Sequence, residues 1–485
     1  MEDLLTLLPP SLPVPERQRV ERAYTFAQMK HRGQLRNSGE PYFLHVVEVA
    51  KNCARLDMDT DTVAAALLHD TLEDTEATEE ELLEQFGETV LFLVKGVTKL
   101  GKLKYQGRER HVESLRKFFL AMAEDIRVLI IKLADRLHNV QTLEHVRPEK
   151  QRRIALETID VHAALAGRLG MEKLKGELED QAFPYAYPAE YQKTKAIMDS
   201  IVPEAKQTVQ HAHAVIEKTL ADFSVPYRSV HSRIKYTYST YRKLEKYLWN
   251  AEHVYDIVAL RVIAETVADC YQILGLIHML WKPIPKRIKD YIALPKPNGY
   301  QSLHTSVLTE HGVVEVQIRT EDMHREAEMG IASHFVYKEA SRDNSSQPTS
   351  KKWRWLDELK ELHEVVRDPS AFLQQLQLDF FKDRIFVFSP KGDVIDLPEG
   401  ASPIDFAYAI HSDVGHSTSA ARINGKMGSL GDTLHNGDII EIVTNKNAKP
   451  SNKWVEYAKT NSARRKIRAH ISEHGGMFDK LFLKK

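Results

Sequence analysis

Leu67-Leu68-His69-Asp70-Thr71-Leu72-Glu73-Asp74-Thr75 puts an adjacent imidazole and carboxylate at the end of an apolar run, with two more acids about one turn later. The preceding Ala64-Ala65-Ala66 completes a stretch with the composition of a buried helix. Helical residues four apart share a face at about 5–6 Å, so a continuous helix would stack His69 over Glu73 and Asp70 over Asp74. That cluster would start in the interior. Unpaired buried carboxylates are strongly disfavoured, and a metal ion is a common remedy. The stretch therefore predicts a helical module built around a cation.

Working outward, the periodicity is helical from about Glu16 to Leu143. Arg17–His31 is amphipathic, and Pro41–Ala50 reads as a helix starting near a proline. Asp125–Leu143 reads as an apolar helix with Asp135 and Asn139 four apart on one face. No convincing strand interrupts the region, so an all-α domain is expected. His45, His69, Asp70 and Asp135 form a candidate metal site, and two imidazoles with two carboxylates suit a divalent ion such as Mn²⁺. Each residue alone has a plainer reading. A lone His on an apolar helix is usually a satisfied core residue, and Asp135 next to Arg136 reads equally as half of an ion pair. The His-Asp pair followed one turn later by Glu-Asp favours a site.

The order His45, His69-Asp70, Asp135 resembles the HD superfamily of metal-dependent phosphohydrolases. The surrounding text is more specific. Gly33-Gln34-Leu35-Arg36-Asn37-Ser38-Gly39-Glu40-Pro41-Tyr42, Leu68 through Thr75, and Lys132-Leu133-Ala134-Asp135-Arg136-Leu137-His138-Asn139 resemble the hydrolase domain of the long RelA/SpoT homologues. That family makes and destroys guanosine tetra- and pentaphosphate alarmones. One departure is Asn37, where the family usually has a second basic residue. The resemblance implies attack on the ester phosphorus of a 3′-pyrophosphate on a guanine nucleotide. A metal-bound water is acidic enough to supply hydroxide near neutral pH. Glu73 and Asp74 would orient or deprotonate it, Asn139 and Thr142 would hold substrate, and Arg36 would lie beside the base.

Composition frames this reading. With 485 residues, about three domains of ~150 residues are expected. The chain is 42% hydrophobic and 28% charged, ordinary for a globular protein, and its net charge of −1 gives no global pull toward nucleic acid. Its 2 cysteines, Cys53 and Cys270, exclude a disulfide framework or a Cys-rich zinc module within these residues and fit a reducing compartment. Met1-Glu2-Asp3-Leu4-Leu5 is acidic and soon meets Pro9-Pro10, unlike a signal peptide. No apolar run approaches the ~20 residues of a membrane span. A cytoplasmic protein is expected.

From about Arg147 to Phe223 the pattern is again helical, broken at Pro184 and Pro188, without a catalytic constellation. At Tyr227 the texture changes. Arg233, Lys235, Arg242, Lys243 and Lys246 interleave with Tyr236, Tyr238 and Tyr241, which a solvated basic helix would also explain. Val254–Ile263 reads as a buried strand carrying one acid, Asp256, and Cys270–Trp281 as a helix. Val313–Arg319 alternates, with Glu315, Gln317 and Arg319 on one face and Val314, Val316 and Ile318 on the other. Two acids on separate strands can hold Mg²⁺ and leave room for substrate phosphates. Lys286–Asp290 and Lys296–His304 form a loop region rich in cations and backbone-permissive residues.

Ser232–Ser239, Tyr255-Asp256-Ile257, Arg287–Asp290, Asn298–His304 and Glu315–Thr320 resemble the synthetase domain of the same family, a nucleotidyltransferase-like α/β fold. The resemblance implies transfer of the β,γ-pyrophosphate of ATP to the 3′-hydroxyl of GDP or GTP. Asp256 and Glu315 would share Mg²⁺, with Glu315 also the base. Arg233, Lys235, Ser239, Lys243 and, more weakly, Arg261 would bind ATP. Lys289, Lys296, Asn298, Tyr300, His304 and Gln317 would hold the guanine nucleotide, with Tyr300 stacked on the base. In the family a basic Arg-x-Lys-Asp loop, here Arg287–Asp290, accompanies enzymes with both activities.

Residues 338–352 are polar and aperiodic, a linker; Trp353 to about Leu378 resumes as helix. Asp383–Pro398 reads as two short strands around a turn, and further short strands follow between Gly425 and Asp438. This module resembles a TGS domain, which implies contact with uncharged tRNA on the ribosome. His411 and His416 are candidate RNA contacts, although surface histidines are the plainer reading. Lys459, Arg464, Arg465, Lys466 and Arg468 make a basic tail. The family's further helical, zinc-finger-like and ACT-type modules have no residues here.

The expected organisation is multidomain, α and α/β. Residues 1–146 form an HD-type hydrolase, 147–223 a helical spacer, and 224–340 the synthetase. Residues 341–380 are linker and helix, 381–446 a TGS domain, and 447–485 the tail. The function expected is a two-way alarmone enzyme of the stringent response, whose spacer helices close one site as the other opens. A hydrolase with a decayed synthetase and a non-catalytic tRNA- or ribosome-binding nucleotide sensor are the alternatives.

Overall fold

The computed structural model describes residues 1–98, 124–251, 254, 257–285, 287–296, 298–333, 384–435, 437–445 and 447–474. The chain divides into two units, Met1–Glu361 and Leu362–Lys485.

The first unit opens with helices α1 (Glu2–Leu5), α2 (Val14–Lys30), α3 (Tyr42–Arg55), α4 (Thr60–Leu68), α5 (Thr71–Asp74) and α6 (Glu79–Thr98). Helix α7 (Arg127–Gln141) follows. Helix α3 starts beside Pro41, whose fixed φ suits a helix entry. Helix α4 is apolar all round, with Val63 through Leu68 each 0% exposed, so it lies in the centre of the helical module. It does not continue through the His-Asp pair. Its terminal carbonyls are taken by side chains instead: Ala66 O by His69 Nδ1 at 2.7 Å, Leu68 O by Thr71 Oγ1 at 2.7 Å, and His69 O by Thr98 Oγ1 at 3.2 Å. Asp70 sits at φ −100°, ψ −1°, and α5 starts afresh. The expected stacking of His69 over Glu73 and Asp70 over Asp74 on one helix is therefore corrected to a corner between two helices.

Next come α8 (Pro148–Glu157), a π-helical turn (Thr158–Ala163), α9 (Ala164–Arg168), α10 (Glu172–Ala186) and α11 (Pro188–Asp222). Pro184 was expected to break the pattern, but α10 runs through it to Ala186; the break falls at Tyr187, and Pro188 opens α11 at a first-turn position where no donor is missed.

Strand β1 (Tyr227–Ile234) and helix α12 (Thr237–Lys246) replace the single basic helix that the composition also allowed. Strand β2 (Val258–Ala264), α13 (Val267–Leu280), β3 (Lys282–Pro283), β4 (Lys289–Asp290), β5 (Leu303–Thr309), β6 (Gly312–Thr320) and α14 (Glu321–Met329) complete the first unit. The strands form a six-stranded mixed sheet in the order β1-β2-β6-β5-β3, with β4 paired to β5. Strand β2 begins at Val258, and Asp256 lies outside the described residues. Val258, Leu260, Val262, Val314, Val316 and Ile318 pack one sheet face onto Ile216 and Leu220 of α11 and Ile273 and Ile277 of α13. The other face carries the polar side chains.

Helix α10 joins the two parts of this unit. Asp180 accepts from the N–H groups of Thr237 at 3.0 Å and Tyr238 at 2.8 Å, capping α12. Phe183 packs with Tyr238 and Tyr241 of α12 and Leu143. Just before α10, Leu169 O accepts from Ile331 N at 2.9 Å. A Cβ on Gly330 would stand 2.1 Å from Leu169 O, and Gly330 takes φ +57°, ψ −128°, so only glycine fits this contact.

In the second unit, β7 (Arg384–Phe388) pairs antiparallel with β8 (Val394–Pro398). Strands β9 (Thr418–Ile423), β10 (Lys426–Gly428) and β11 (Ile440–Thr444) form a sheet in the order β10-β9-β11. Helices α15 (Pro403–Ile410), α16 (Ser412–His416), α17 (Asn452–Tyr457) and α18 (Asn461–His474) pack beside them. Buried Asp405 accepts from Ser402 N at 2.9 Å, Lys459 N at 3.0 Å and Thr460 N at 2.8 Å, which ties the start of the basic tail to α15. The linker expected at 338–352 and the helix expected from Trp353 lie outside the described residues. No helix among the described residues is long and apolar enough to cross a membrane.

Candidate functional site

Two helices and one corner bring the expected metal ligands together. His45 comes from α3, His69 and Asp70 from the α4–α5 corner, and Asp135 from α7. Ligand atoms of His45, His69 and Asp70 all lie within 4.8 Å of one another. His45 Nε2 is 3.3 Å from Asp135 Oδ1 and 3.6 Å from Asp70 Oδ2, while His69 Nε2 is 3.1 Å from Asp70 Oδ2.

The hydrogen bonds fix how these rings point. A carbonyl only accepts, so His69 Nδ1 donates to Ala66 O, and its buried Nε2 turns toward the Asp70 carboxylate, 3.1 Å away. A guanidinium only donates, so His138 Nδ1 accepts from Arg36 Nη1 at 3.1 Å. The same atom therefore accepts from His45 Nδ1 at 2.8 Å. That leaves the bare Nε2 of His45 facing Asp135 and Asp70. In neutral rings, two lone pairs confront two carboxylates, an arrangement that positive charge between them relieves, whether a proton on an imidazole or a bound cation. The donor set thus fits a divalent ion.

Electrostatics agree with this geometry. Burial opposes protonation of His69, but Asp70 and then Asp135 outweigh it and push the imidazole up to about 9. Burial raises the Asp70 carboxyl, yet His69 beside it holds it below the usual range. Asp135 is likewise buried and is held low chiefly by Lys132, whose Nζ donates to Asp135 Oδ2 at 2.7 Å. So Asp135 is half of an ion pair, with Lys132 rather than Arg136, which pairs with Glu157 at 2.8 Å. Burial, His45 and Arg36 lower His138 to about 4, which keeps it a neutral acceptor.

Of the remaining expected residues, Arg36, Asn139 and Thr142 line a cleft of about 250 Å³ that Asp135 also faces. Arg36 Nη2 donates to Asn139 Oδ1 at 2.8 Å, and Asn139 Nδ2 donates to Asp135 Oδ1 at 2.5 Å. Thr142 opens onto the same cleft. Glu73 is half-buried and Asp74 exposed on α5, directly after Asp70. The sequence reading missed Tyr42, whose hydroxyl donates to Asp70 Oδ2 at 2.7 Å. It also gave no role to His138, or to the cleft cations Lys132, Arg136 and Arg153. Lys132, three residues before Asp135 and thus on its helix face, was the available signal.

The second set gathers on the polar face of the sheet. Register aligns Arg233 with Ala259 and His231 with Arg261, then Ala259 with Glu315 and Arg261 with Gln317. On the other side Glu315 pairs with Ser306, Gln317 with His304, and His304 with Lys289. Partners across a ladder share a face, so Arg233, Arg261, Glu315, Gln317, His304 and Lys289 all project to one side. Glu315 Oε1 is 3.4 Å from His304 Nδ1 and accepts from Gln317 Nε2 at 3.1 Å. Tyr300 Oη meets His304 Nε2 at 2.7 Å, and Lys296 Nζ lies 4.8 Å from the Tyr300 ring. Asn298 Oδ1 accepts from Tyr300 N at 3.2 Å, which shapes the loop. Ser239 and Lys243 lie one turn apart on α12, and Lys235 N donates to Ile257 O at 2.9 Å just after β1. Burial lowers Lys296 and His304 and raises Tyr300.

In the second unit His411 is exposed beside Asp413. His416 is not a free surface histidine: its ring stands 5.5 Å from Tyr408 and 4.3 Å from His470.

Comparison with known proteins follows the same three parts. The HD domain family matches residues 23–172, the region found in RelA/SpoT proteins matches 232–342, and the TGS domain matches 385–444. A GTP pyrophosphokinase of Myxococcus xanthus is 45% identical over 468 residues, 95% of this chain and 61% of that protein. A guanosine-3′,5′-bis(diphosphate) 3′-pyrophosphohydrolase of Aquifex aeolicus is 45% identical over 464 residues, 94% of this chain and 64% of its own length. The bifunctional (p)ppGpp synthase/hydrolase SpoT of Escherichia coli K12 is 44% identical over 469 residues, 96% of this chain and 66% of that protein. The chain thus spans about three fifths to two thirds of these relatives. With a cluster that fits a cation on its helical part, a polar sheet face beyond it and the matched domains in this order, the chain belongs to the RelA/SpoT family.

Proposed function

We propose that the chain works in both directions on guanine nucleotide alarmones. It transfers pyrophosphate from ATP to the 3′-hydroxyl of GDP or GTP, and it hydrolyses (p)ppGpp to GDP or GTP plus pyrophosphate. The observation that carries this reading is the convergence of His45, His69, Asp70 and Asp135 on one point, in tautomers that ask for a cation.

In the hydrolase centre those four residues would hold Mn²⁺. Bound there, such an ion acidifies water and polarises phosphoryl oxygens. Glu73 and Asp74 orient the attacking water and take its proton. Arg36 holds the base, Asn139 and Thr142 position the sugar-phosphate, and Lys132, Arg136 and Arg153 offset the charge of the phosphates. The new bond joins water oxygen to the ester phosphorus, the bond to the 3′-oxygen breaks, and pyrophosphate leaves.

In the synthetase, Glu315 with Asp256 would hold Mg²⁺, and Glu315 removes the proton of the 3′-hydroxyl. Gln317 and His304, both on Glu315 Oε1, aim that carboxylate. Arg233, Lys235, Ser239, Lys243 and Arg261 hold ATP, while Lys289, Lys296, Asn298, Tyr300 and His304 hold the acceptor. The 3′-oxygen bonds to the β-phosphorus of ATP and AMP leaves. This is catalysis by positioning and charge cancellation. The TGS part would meet tRNA on the ribosome through exposed His411, with His416 in a supporting place, inside the cytoplasm.

Paired assays of synthesis and hydrolysis, with Mn²⁺ and Mg²⁺ varied separately, test the reading. Hydrolysis should follow Mn²⁺ and synthesis Mg²⁺. Absence of a 3′-pyrophosphorylated product from ATP and GDP would remove the synthetic half.

A further inference from the structure

The polar sheet face contains two guanidiniums much deeper than its other cations. Arg261 is 5% exposed and Arg319 is 1% exposed. One carboxylate oxygen serves both: Glu328 Oε1 accepts from Arg261 Nη1 at 3.0 Å and from Arg319 Nη2 at 3.1 Å. His324 Nδ1 accepts from Arg319 Nη2 at 2.8 Å. Glu328 and His324 are four apart on α14, hence on one face of it. Three buried donors remain without a partner among the described residues, namely Arg261 Nε, Arg261 Nη2 and Arg319 Nε.

That arrangement is unsatisfied twice over. Two cations share one anion, and buried guanidinium N–H groups left unmade are strongly disfavoured. A folded chain sustains such a deficit where an acceptor-rich, negatively charged ligand completes it. The electrostatic neighbours place the deficit: Arg261, Arg319 and Arg233 all act on Tyr300, so the buried pair belongs to the face where the nucleotides are proposed to bind. Glu328 itself is fixed from outside the sheet. Its helix starts at the Thr320 cap ending β6 and stops at Gly330, which is wedged against Leu169 and Gly170.

We propose that Glu328 is the positioning residue of the triphosphate seat, holding the Arg261 and Arg319 guanidiniums so that their remaining N–H groups meet ATP. Arg319 is then a second buried ATP-binding cation. The inference rests on the synthetase reading for the identity of the ligand. Glu328 acts only through the arginines, so its removal should weaken ATP and spare the acceptor nucleotide.

The test measures ATP and GDP binding separately, by equilibrium titration with Mg²⁺ on the full chain, for wild type, Glu328→Gln, Arg319→Lys and the double variant. Each single change is expected to weaken ATP about tenfold and leave GDP within about twofold, and the double variant should be little worse than either. Where turnover is measurable, KM for ATP should rise by the same factor with kcat within about threefold. ATP affinity unchanged, or ATP and GDP weakened alike, overturns the proposal, because a merely structural Glu328 would do one or the other. If Glu328→Gln does not fold, Glu328→Asp, read in the same two titrations, decides. A wild-type chain that binds ATP but makes no product would remove the synthetase reading while leaving this comparison intact.

Discussion

The two centres are electrostatic opposites. The helical centre collects carboxylates and lone pairs with too few protons to satisfy them, while the sheet face collects guanidiniums with too few acceptors. The first asks for a cation and the second for an anion, and each is charged against its own interior. They are also assembled differently. Helices bring His45, His69 and Asp135 together from positions far apart in the chain, whereas strand register alone lines up Arg233, Arg261, Glu315 and His304. A helical site is therefore tuned by rotating whole elements against one another. A ladder site is tuned by whatever covers its face, here α14.

The strongest way to break this opposition is to remove one centre and watch the other. Asp70→Asn takes a ligand charge from the first centre while keeping its shape. Hydrolysis should fall by about a thousandfold or more with synthesis retained, and Glu315→Gln should do the reverse. Both are read from product formation under saturating nucleotide. Loss of both reactions in either variant would mean that the centres are one functional unit. A smaller effect sharpens the account of the cation site. His138→Leu deletes the acceptor that fixes the His45 tautomer, so Mn²⁺ affinity by calorimetric titration should drop about 10–100-fold, with partial recovery in His138→Asn. Unchanged affinity would make the His45–His138 contact incidental.

How much of this could be read in the sequence differs between the two centres for physical reasons. His45, His69, Asp70 and Asp135 stand out because acids and imidazoles are rare in apolar helices, and the structure brings them together. The alternation of Val313–Arg319 likewise gave the face on which Glu315 projects. What the sequence hid depends on capping and on long-range partners. The helix break at His69 follows from Thr71 and Thr98 taking carbonyls, and Thr98 is far along the chain. Pro184 is tolerated inside α10 because packing of Phe183 against Tyr238 and Tyr241 overrides local propensity. Arg319 reads only as a third polar residue on the Glu315 face of its strand until Glu328 is seen on the helix that follows. Tyr42, three residues before His45, and His138, three after Asp135, carry only the helix-face spacing that also marks Lys132.

The mildest prediction concerns α10, the element both centres share. It packs against α7, which carries Asp135, and through Asp180 it caps α12, which carries Ser239 and Lys243. Glu179, on the same helix, is 8% exposed. Burial pushes its carboxyl up to about 7, only partly countered by Lys175 at 3.9 Å. Between its ordinary value of 4.5 and about 7, the folded chain keeps a proton that the unfolded chain has released. Stability therefore falls as pH rises through that window and is flat, for this group, above it. Glu179→Gln removes the penalty. The variant should gain about 1–3 kcal/mol over wild type in urea unfolding at pH 8, and the gain should vanish near pH 4.5. Because α10 supports both centres, the gain should register equally whether unfolding is followed by loss of Mn²⁺ binding or of ATP binding. A gain seen by one probe alone would show that the helix holds only one of them.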